Sequence, residues 1–126
     1  MPLQFFHVED LCRFMDVILE KKPDTRIFNV GNVETVSVLE WVQLCYTAAG
    51  VPLETVNVYE NIEQRNYFSF YNYAYQLDVT RQEQLMPSIK PLFDGLKETF
   101  AWYVSNPQVV KKKPYFEYID QQLAKK

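Results

Sequence analysis

The stretch that decides the fold prediction is FFHVEDLCRFMDVILEKKP, residues 5–23. Its first residues complete a compact apolar run, LQFFHV, which is typical of a short buried strand. The apolar residues that follow recur at helical spacing and would form one stripe: Leu11, Phe14, Met15, Ile18 and Leu19. Glu9 or Asp10 is expected to cap the helix start, and Pro23 to stop it. The stretch therefore predicts a strand followed directly by an amphipathic helix.

The same alternation continues along the chain. Ser37 and Glu40 form an S-x-x-E capping box at the start of a second helix, which Gly50 closes. A third long helix is predicted to begin at Pro91 and to end at Asn106. The remaining elements are two strand candidates, RIFNVGN (26–32) and ETVNVY (54–59), a short helix in VTRQEQLM (79–86) and a tail helix in PYFEYIDQQLAKK (114–126). These patterns predict an α/β fold with short strands alternating with three main helices.

Composition limits the function classes. The chain has 126 residues, which is the size of one domain, and a net charge of −3, which argues against a general nucleic-acid binder. One histidine and two separated cysteines cannot supply a zinc site of ordinary spacing, so no metal is predicted. Cys12 and Cys45 fall in helical patterns and are expected to be free, buried thiols. The chain has no long apolar run and no leader pattern, so a cytoplasmic location is expected.

An aromatic segment suggests a binding surface. RNYFSFYNYAYQLD, residues 65–78, contains six aromatic residues and neither Gly nor Pro, and it fits no regular period. Aromatic rings can stack on a base or on the apolar face of a sugar, and tyrosine hydroxyls can hydrogen-bond at the rim. A satellite core under a long loop is the alternative, and we favour it for Phe68 and Phe70. Tyr71 and Tyr73 are the better candidates for a cleft.

The order of the landmarks resembles a known family. FFHVEDL is followed by FNVGN, by Ser37-Val38-Leu39-Glu40, by Leu77-Asp78-Val79-Thr80 and finally by KPLFDGLKETFAWYVSN. This order is similar to the C-terminal part of Rossmann-type extended short-chain dehydrogenase/reductases, the NAD-dependent nucleotide-sugar epimerase/dehydratase family. The resemblance implies a substrate-side region at residues 1–106 and a tail helix at 107–126.

The resemblance also implies roles for particular residues. Family members bind a sugar nucleotide with loop arginines, and Arg65 is the only arginine in the corresponding loop here. Arg65, Tyr71 and Tyr73 are therefore the expected substrate-binding residues, because a guanidinium fork suits a diphosphate. For His7, a structural hydrogen bond at the turn before the first helix is favoured over catalysis.

Two family motifs are absent from the sequence. The three glycines are too scattered for the Gly-x-x-Gly-x-x-Gly turn that holds NAD, and no lysine has a tyrosine four residues before it. The chain is therefore expected to have no catalytic or cofactor-binding residue of its own, NAD being used by a longer parent protein. The isolated chain is expected to form a homo-oligomer. A protein-interaction module and an RNA-binding module related to chloroplast stem-loop-binding proteins remain alternatives.

Overall fold

The computed structural model describes residues 2–56, 76–111 and 115–124. Within them the chain forms five α-helices and one 3-10 turn. The helices are α1 (Val8–Lys21), α2 (Val38–Ala49), α3 (Thr80–Leu85), α4 (Leu92–Ser105) and α5 (Tyr115–Leu123), and the 3-10 turn is Pro107–Val109. The expected helices are all present, but the third long helix, α4, begins at Leu92 and not at Pro91, which is its N-cap. None of them, among the residues described, is long and apolar enough to cross a membrane.

The expected α/β fold is wrong for the described residues, because they contain no sheet. The only bridge there is a single antiparallel pairing of Leu3 with Val36. RIFNVGN runs beside α3 without a strand partner, and ETVNVY lies partly outside the described residues. An apolar run indicates that side chains are buried, but a strand also needs a neighbour that bonds its backbone. The sequence pattern gives no information on whether such a neighbour exists.

The helix ends follow local capping chemistry. At α2 the Glu40 N–H donates to Ser37 Oγ at 3.2 Å and the Ser37 N–H donates to Glu40 Oε2 at 2.7 Å, which confirms the capping box. Gly50 ends this helix in the left-handed conformation with φ 70°. At α1 the prediction is wrong in detail: the Glu9 N–H donates to His7 Nδ1 at 3.4 Å, so His7 is the cap. His7 thus has the structural role that was favoured for it.

The apolar stripe of α1 is divided between two faces. Phe14 is buried and meets Phe28 edge-to-face, with ring centroids 5.4 Å apart. Leu11, Met15 and Leu19 are exposed, the last at 70% of its surface. The residues of the predicted stripe therefore do not all face the core. Helical spacing places these residues on adjoining sectors of the helix, and the sector at Phe14 is the most deeply buried.

Two buried polar side chains connect segments that are distant in sequence. The Asp10 carboxylate accepts from Arg13 Nη1 at 2.8 Å and from the Lys90 N–H at 2.6 Å, so it ties α1 to the residues before α4. Gln82 in α3 accepts the Gly31 N–H at 2.8 Å and donates to the Gly31 carbonyl at 3.2 Å. Both side chains are almost completely buried. The small apolar core is thus supplemented by polar bonds between segments.

Gly95 permits the close approach of α4 to His7. A Cβ atom at this position would lie 2.9 Å from His7 Cδ2, closer than real Cβ contacts allow. We expect Gly95→Ala to reduce the free energy of unfolding by about 1–3 kcal/mol, the usual cost of overpacking. In a His7→Ala background the same substitution should cost less, since alanine is the better helix former by about 1 kcal/mol. Urea unfolding of the four proteins checks this, and equal costs in both backgrounds would contradict the contact.

Candidate functional site

The predicted substrate-binding residues Arg65, Tyr71 and Tyr73 lie outside the described residues. The structure does show how the end of that aromatic segment is held. Gln4 Oε1 accepts the Leu77 N–H at 2.9 Å, and Gln4 Nε2 donates to the carbonyls of Leu77 and Asn32, at 3.2 and 2.8 Å. Asn29 Nδ2 donates to the Asp78 carbonyl at 3.0 Å. Residues 77 and 78 are therefore fixed beside Asn29 and Asn32.

A cleft adjoins this anchor. Two cavities of about 260 and 450 Å³ share four wall residues, Asn32, Lys90, Pro91 and Leu92, and we call them together the Asn32–Lys90 cleft. The smaller cavity extends to Phe5 and Gly95, and the larger one extends to Val33 and Leu44. The lining is mainly apolar, with a few polar groups at the edge, as small-molecule sites commonly are. The cleft is the candidate binding site in the described part of the chain.

A charged cluster surrounds the side chain of Lys90, which belongs to the cleft wall. The Lys90 ammonium donates to Glu9 Oε2 at 2.6 Å and also to Glu98 Oε2. The His7 Nε2 atom is 3.9 Å from Glu98 Oε2. Because His7 Nδ1 accepts the Glu9 N–H, the ring proton of neutral His7 must be on Nε2, directed towards Glu98. Lys90 thus forms ion pairs with two carboxylates.

This cluster could also be considered as a metal site. Ligand atoms of His7, Glu9 and Glu98 lie within 4.8 Å of one another. The Lys90 ammonium already bonds both carboxylates, however, and a metal ion would have to displace it. A lysine in that position supplies the positive charge that a cation would otherwise provide. The arrangement therefore acts as an ion-pair network between α1 and α4.

The ion pairs shift the pKa values of their members. The hydrogen bond and charge of Lys90 lower the pKa of Glu9, and the bonds to Glu9 and Glu98 raise the pKa of Lys90. The stabilisation from Glu9 is present above its usual pKa of about 4.3 and is lost as the pH falls through the lowered value. The stabilisation from Lys90 is present below its usual pKa of about 10.4 and is lost as the pH rises through the raised pKa of Lys90.

We therefore expect Lys90→Met to raise the pKa of the Glu9 carboxyl, because its hydrogen-bond donor and neighbouring charge are removed. An NMR titration of the side-chain carboxyl carbon measures this directly. Lys97→Met is the matched control, since Lys97 lies nearby on α4 but pairs with Asp94 at 2.9 Å. If both variants shift the Glu9 titration equally, the Lys90–Glu9 bond is not its cause.

Sequence reasoning missed several residues around the cleft. Lys90 and Glu98 are separated by eight positions and belong to no motif, so only the fold shows that they meet Glu9. Trp102 is 52% exposed, and with Tyr103 it lines a further depression of about 340 Å³ beside His7 and Val8. A Lys-Pro pair before a helix was the available signal for Lys90. For Trp102, helical spacing alone could not separate a core face from an exposed one.

The two cysteines are both free, as expected, but their burial differs from the prediction. Cys12 is exposed on α1, and Cys45 is half-buried on α2, where burial raises the pKa of its thiol. A thiol with a raised pKa holds little thiolate at neutral pH and is a poor nucleophile. Cys45 is therefore a packing residue.

Comparison with curated proteins supports an origin of this chain among NAD-dependent epimerase/dehydratase-like proteins. The similar protein is dTDP-glucose 4,6-dehydratase of Streptomyces griseus, which is 31% identical over 103 residues. The alignment includes 79% of this chain but spans only 29% of that relative's length. No protein-family model and no solved structure matches the chain.

Proposed function

We propose that the chain is the C-terminal, substrate-side portion of an NAD-dependent nucleotide-sugar epimerase/dehydratase-like protein of the cytoplasm. The observation that carries the proposal is the 103-residue similarity to a dehydratase of dTDP-glucose, although the chain spans only 29% of that enzyme. The order of the sequence motifs supports a C-terminal position. In this proposal residues 1–106 face the substrate and residues 107–126 form the tail.

NAD would be bound by another part of the parent, because the glycines of this chain do not fit a pyrophosphate. Gly31 is bonded to Gln82, Gly95 packs on His7, and Gly50 closes α2. A dinucleotide turn instead needs closely spaced glycines whose N–H groups are free to face phosphate. In the parent, NAD would accept and return the hydride. This chain's own residues would bind and orient the sugar derivative.

The Asn32–Lys90 cleft is the proposed substrate position within the described residues. Its larger cavity, about 450 Å³, has a volume usual for small-molecule sites. The aromatic segment leads into Leu77, which Gln4 holds against Asn32 at the cleft wall. Arg65 would pair with the diphosphate, and the rings of Tyr71 and Tyr73 would contact the sugar or the base. The anchor at Leu77 supports this placement because it restricts where the preceding segment can reach.

Titration calorimetry with dTDP-glucose tests the proposal. We expect Arg65→Ala to weaken binding about tenfold, since a charge-assisted bond to phosphate contributes about 1.5 kcal/mol or more. Arg26→Ala removes the charge of an arginine that is exposed in the described residues, and it should leave the affinity unchanged. If the two variants bind equally, or if the chain binds no dTDP-glucose at millimolar concentration, the substrate-side role is wrong.

The fragment origin has a separate test in the natural reading frame. We expect a Gly-x-x-Gly-x-x-Gly turn and a Tyr-x-x-x-Lys pair to be encoded upstream of Met1, in frame with it. A gene that encodes neither motif would contradict the parent enzyme, whatever the result of the binding experiment.

One observation favours a second candidate, a protein-binding module. Val8, Leu11, Met15 and Leu19 expose an uncharged strip along α1. Apolar strips of this kind commonly mark protein contacts. In the leading proposal the same strip would contact the remainder of the parent protein. The two candidates are separated by the upstream reading frame. If it encodes both the Gly-x-x-Gly-x-x-Gly turn and the Tyr-x-x-x-Lys pair, the epimerase/dehydratase fragment is favoured over the protein-binding module.

A further inference from the structure

The segment between α1 and Gly31 has strand-like features without a strand partner. No turn or bend interrupts the backbone from Thr25 to Val30. Exposure alternates along it: Ile27 and Asn29 are exposed, whereas Phe28 and Val30 are half-buried. This alternation is the period of an extended chain with one face against the protein.

Backbone bonding occupies one edge of this segment only. The Gly31 N–H and carbonyl bond the Gln82 side chain, and the Ile27 carbonyl accepts from Arg81 Nη1 at 3.4 Å. Successive residues of an extended chain direct their backbone groups to opposite edges. The N–H and carbonyl groups of Phe28 and Val30 therefore face the other edge. In the described part of the chain no group bonds them; the next bonded group on that edge is the Asn32 N–H, which donates to the Phe5 carbonyl at 2.7 Å.

Nothing in the sequence blocks pairing at this edge. The residues from Ile27 to Val33 carry no charge and no proline, the two features that usually protect an exposed edge. Ile27 is 78% exposed, so apolar surface accompanies the unpaired backbone groups. An edge of this kind is a template for another strand.

We propose that this edge pairs antiparallel with the same edge of a second copy of the chain. A two-fold axis beside Asn29 would set Phe28 of each copy opposite Val30 of the other. Each of these two pairs would exchange both backbone hydrogen bonds, so four bonds form and all four unpaired N–H groups are satisfied. The two-fold axis makes the segment its own complement. The segment is short and uncharged, and its backbone groups on this edge are available for pairing. The pairing rests on this edge alone and is independent of the proposed sugar-nucleotide function.

Amide hydrogen exchange at two protein concentrations tests the pairing. Between about ten micromolar and about one millimolar, the Phe28 and Val30 amides should become about tenfold slower to exchange as the dimer forms. The Ile27 and Asn29 amides face the opposite edge and should be unchanged, which makes them an internal control. Light scattering should show the mass doubling over the same range. A monomer at all concentrations, or equal protection of all four amides, overturns the proposal.

A pair of lysine substitutions separates this edge from the apolar strip of α1. Asn29→Lys would place two like charges opposite each other at the axis and should abolish the dimer, because facing like charges destabilise paired strands. Leu19→Lys introduces the same residue at an exposed site of α1 and should leave the dimer intact. The reverse result overturns the proposal. The exchange measurement on the unsubstituted chain decides the question if Asn29→Lys does not fold.

Discussion

Asp10→Asn is expected to lower the free energy of unfolding by about 3 kcal/mol, although the substitution keeps the size of the side chain. Only 1% of Asp10 is exposed, and its two oxygens each accept a bond, from Arg13 and from the Lys90 N–H. An asparagine can accept only one of these bonds and must turn its NH₂ group towards the other donor. The Lys90 N–H or the Arg13 guanidinium then loses its partner.

Urea unfolding followed by tryptophan fluorescence measures this effect. With a slope of about 2 kcal/mol per molar, the midpoint should fall by about 1.5 M without a change of slope. Asp16→Asn is the control, because Asp16 is an exposed carboxylate on the same helix and such changes usually stay within about 0.5 kcal/mol. Equal midpoints for the two variants would show that the Asp10 bonds do not stabilise the fold.

Gln82→Leu should be similarly costly, at about 3 kcal/mol. Gln82 is completely buried, and its amide satisfies both the N–H and the carbonyl of Gly31. Leucine fills comparable space but leaves two backbone groups without partners, each at a cost of about 1–3 kcal/mol, partly offset by the apolar gain. The loss should be accompanied by faster amide exchange at Gly31.

Gln84→Leu supplies the comparison for this prediction. Gln84 lies two positions further along α3 and is exposed, so its replacement tests the general effect of leucine on a short helix. We expect a change within about 0.5 kcal/mol. Should Gln84→Leu destabilise the protein as much as Gln82→Leu, the loss arises from α3 itself and not from the bonds to Gly31.

The helices were predictable because their signals are local. Ser37 and Glu40 satisfy each other's backbone within one turn, and Gly50 ends α2 because glycine adopts positive φ without steric cost. The cap of α1 was predicted at Glu9 or Asp10 and is His7, since Asp10 is drawn inward by Lys90. A carboxylate near a helix start is an ordinary capping signal. Its partner 80 positions away is invisible in the sequence.

The candidate site was less predictable than the helices. Arg65, Tyr71 and Tyr73 remain predictions, because they lie outside the described residues. The cleft itself is formed by Asn32 and Lys90, which come together only when α4 packs beside the first residues of the chain. No pattern in the sequence predicts that Asn32 and Lys90 lie close together. The available signal was indirect: a glycine inside a helix is compatible with a close contact, and Gly95 makes that contact with His7.

The sequence by itself determined which segments of this chain are helical, since caps, helical spacing and prolines act over a few residues. The tertiary structure alone decided that RIFNVGN has no strand partner, that α1 exposes Leu19 while it buries Phe14, and that Asp10 bonds Lys90 instead of capping α1. The physical reason is the range of the interactions. Local hydrogen bonds depend on neighbouring residues, whereas strand pairing and burial depend on segments that only folding brings together.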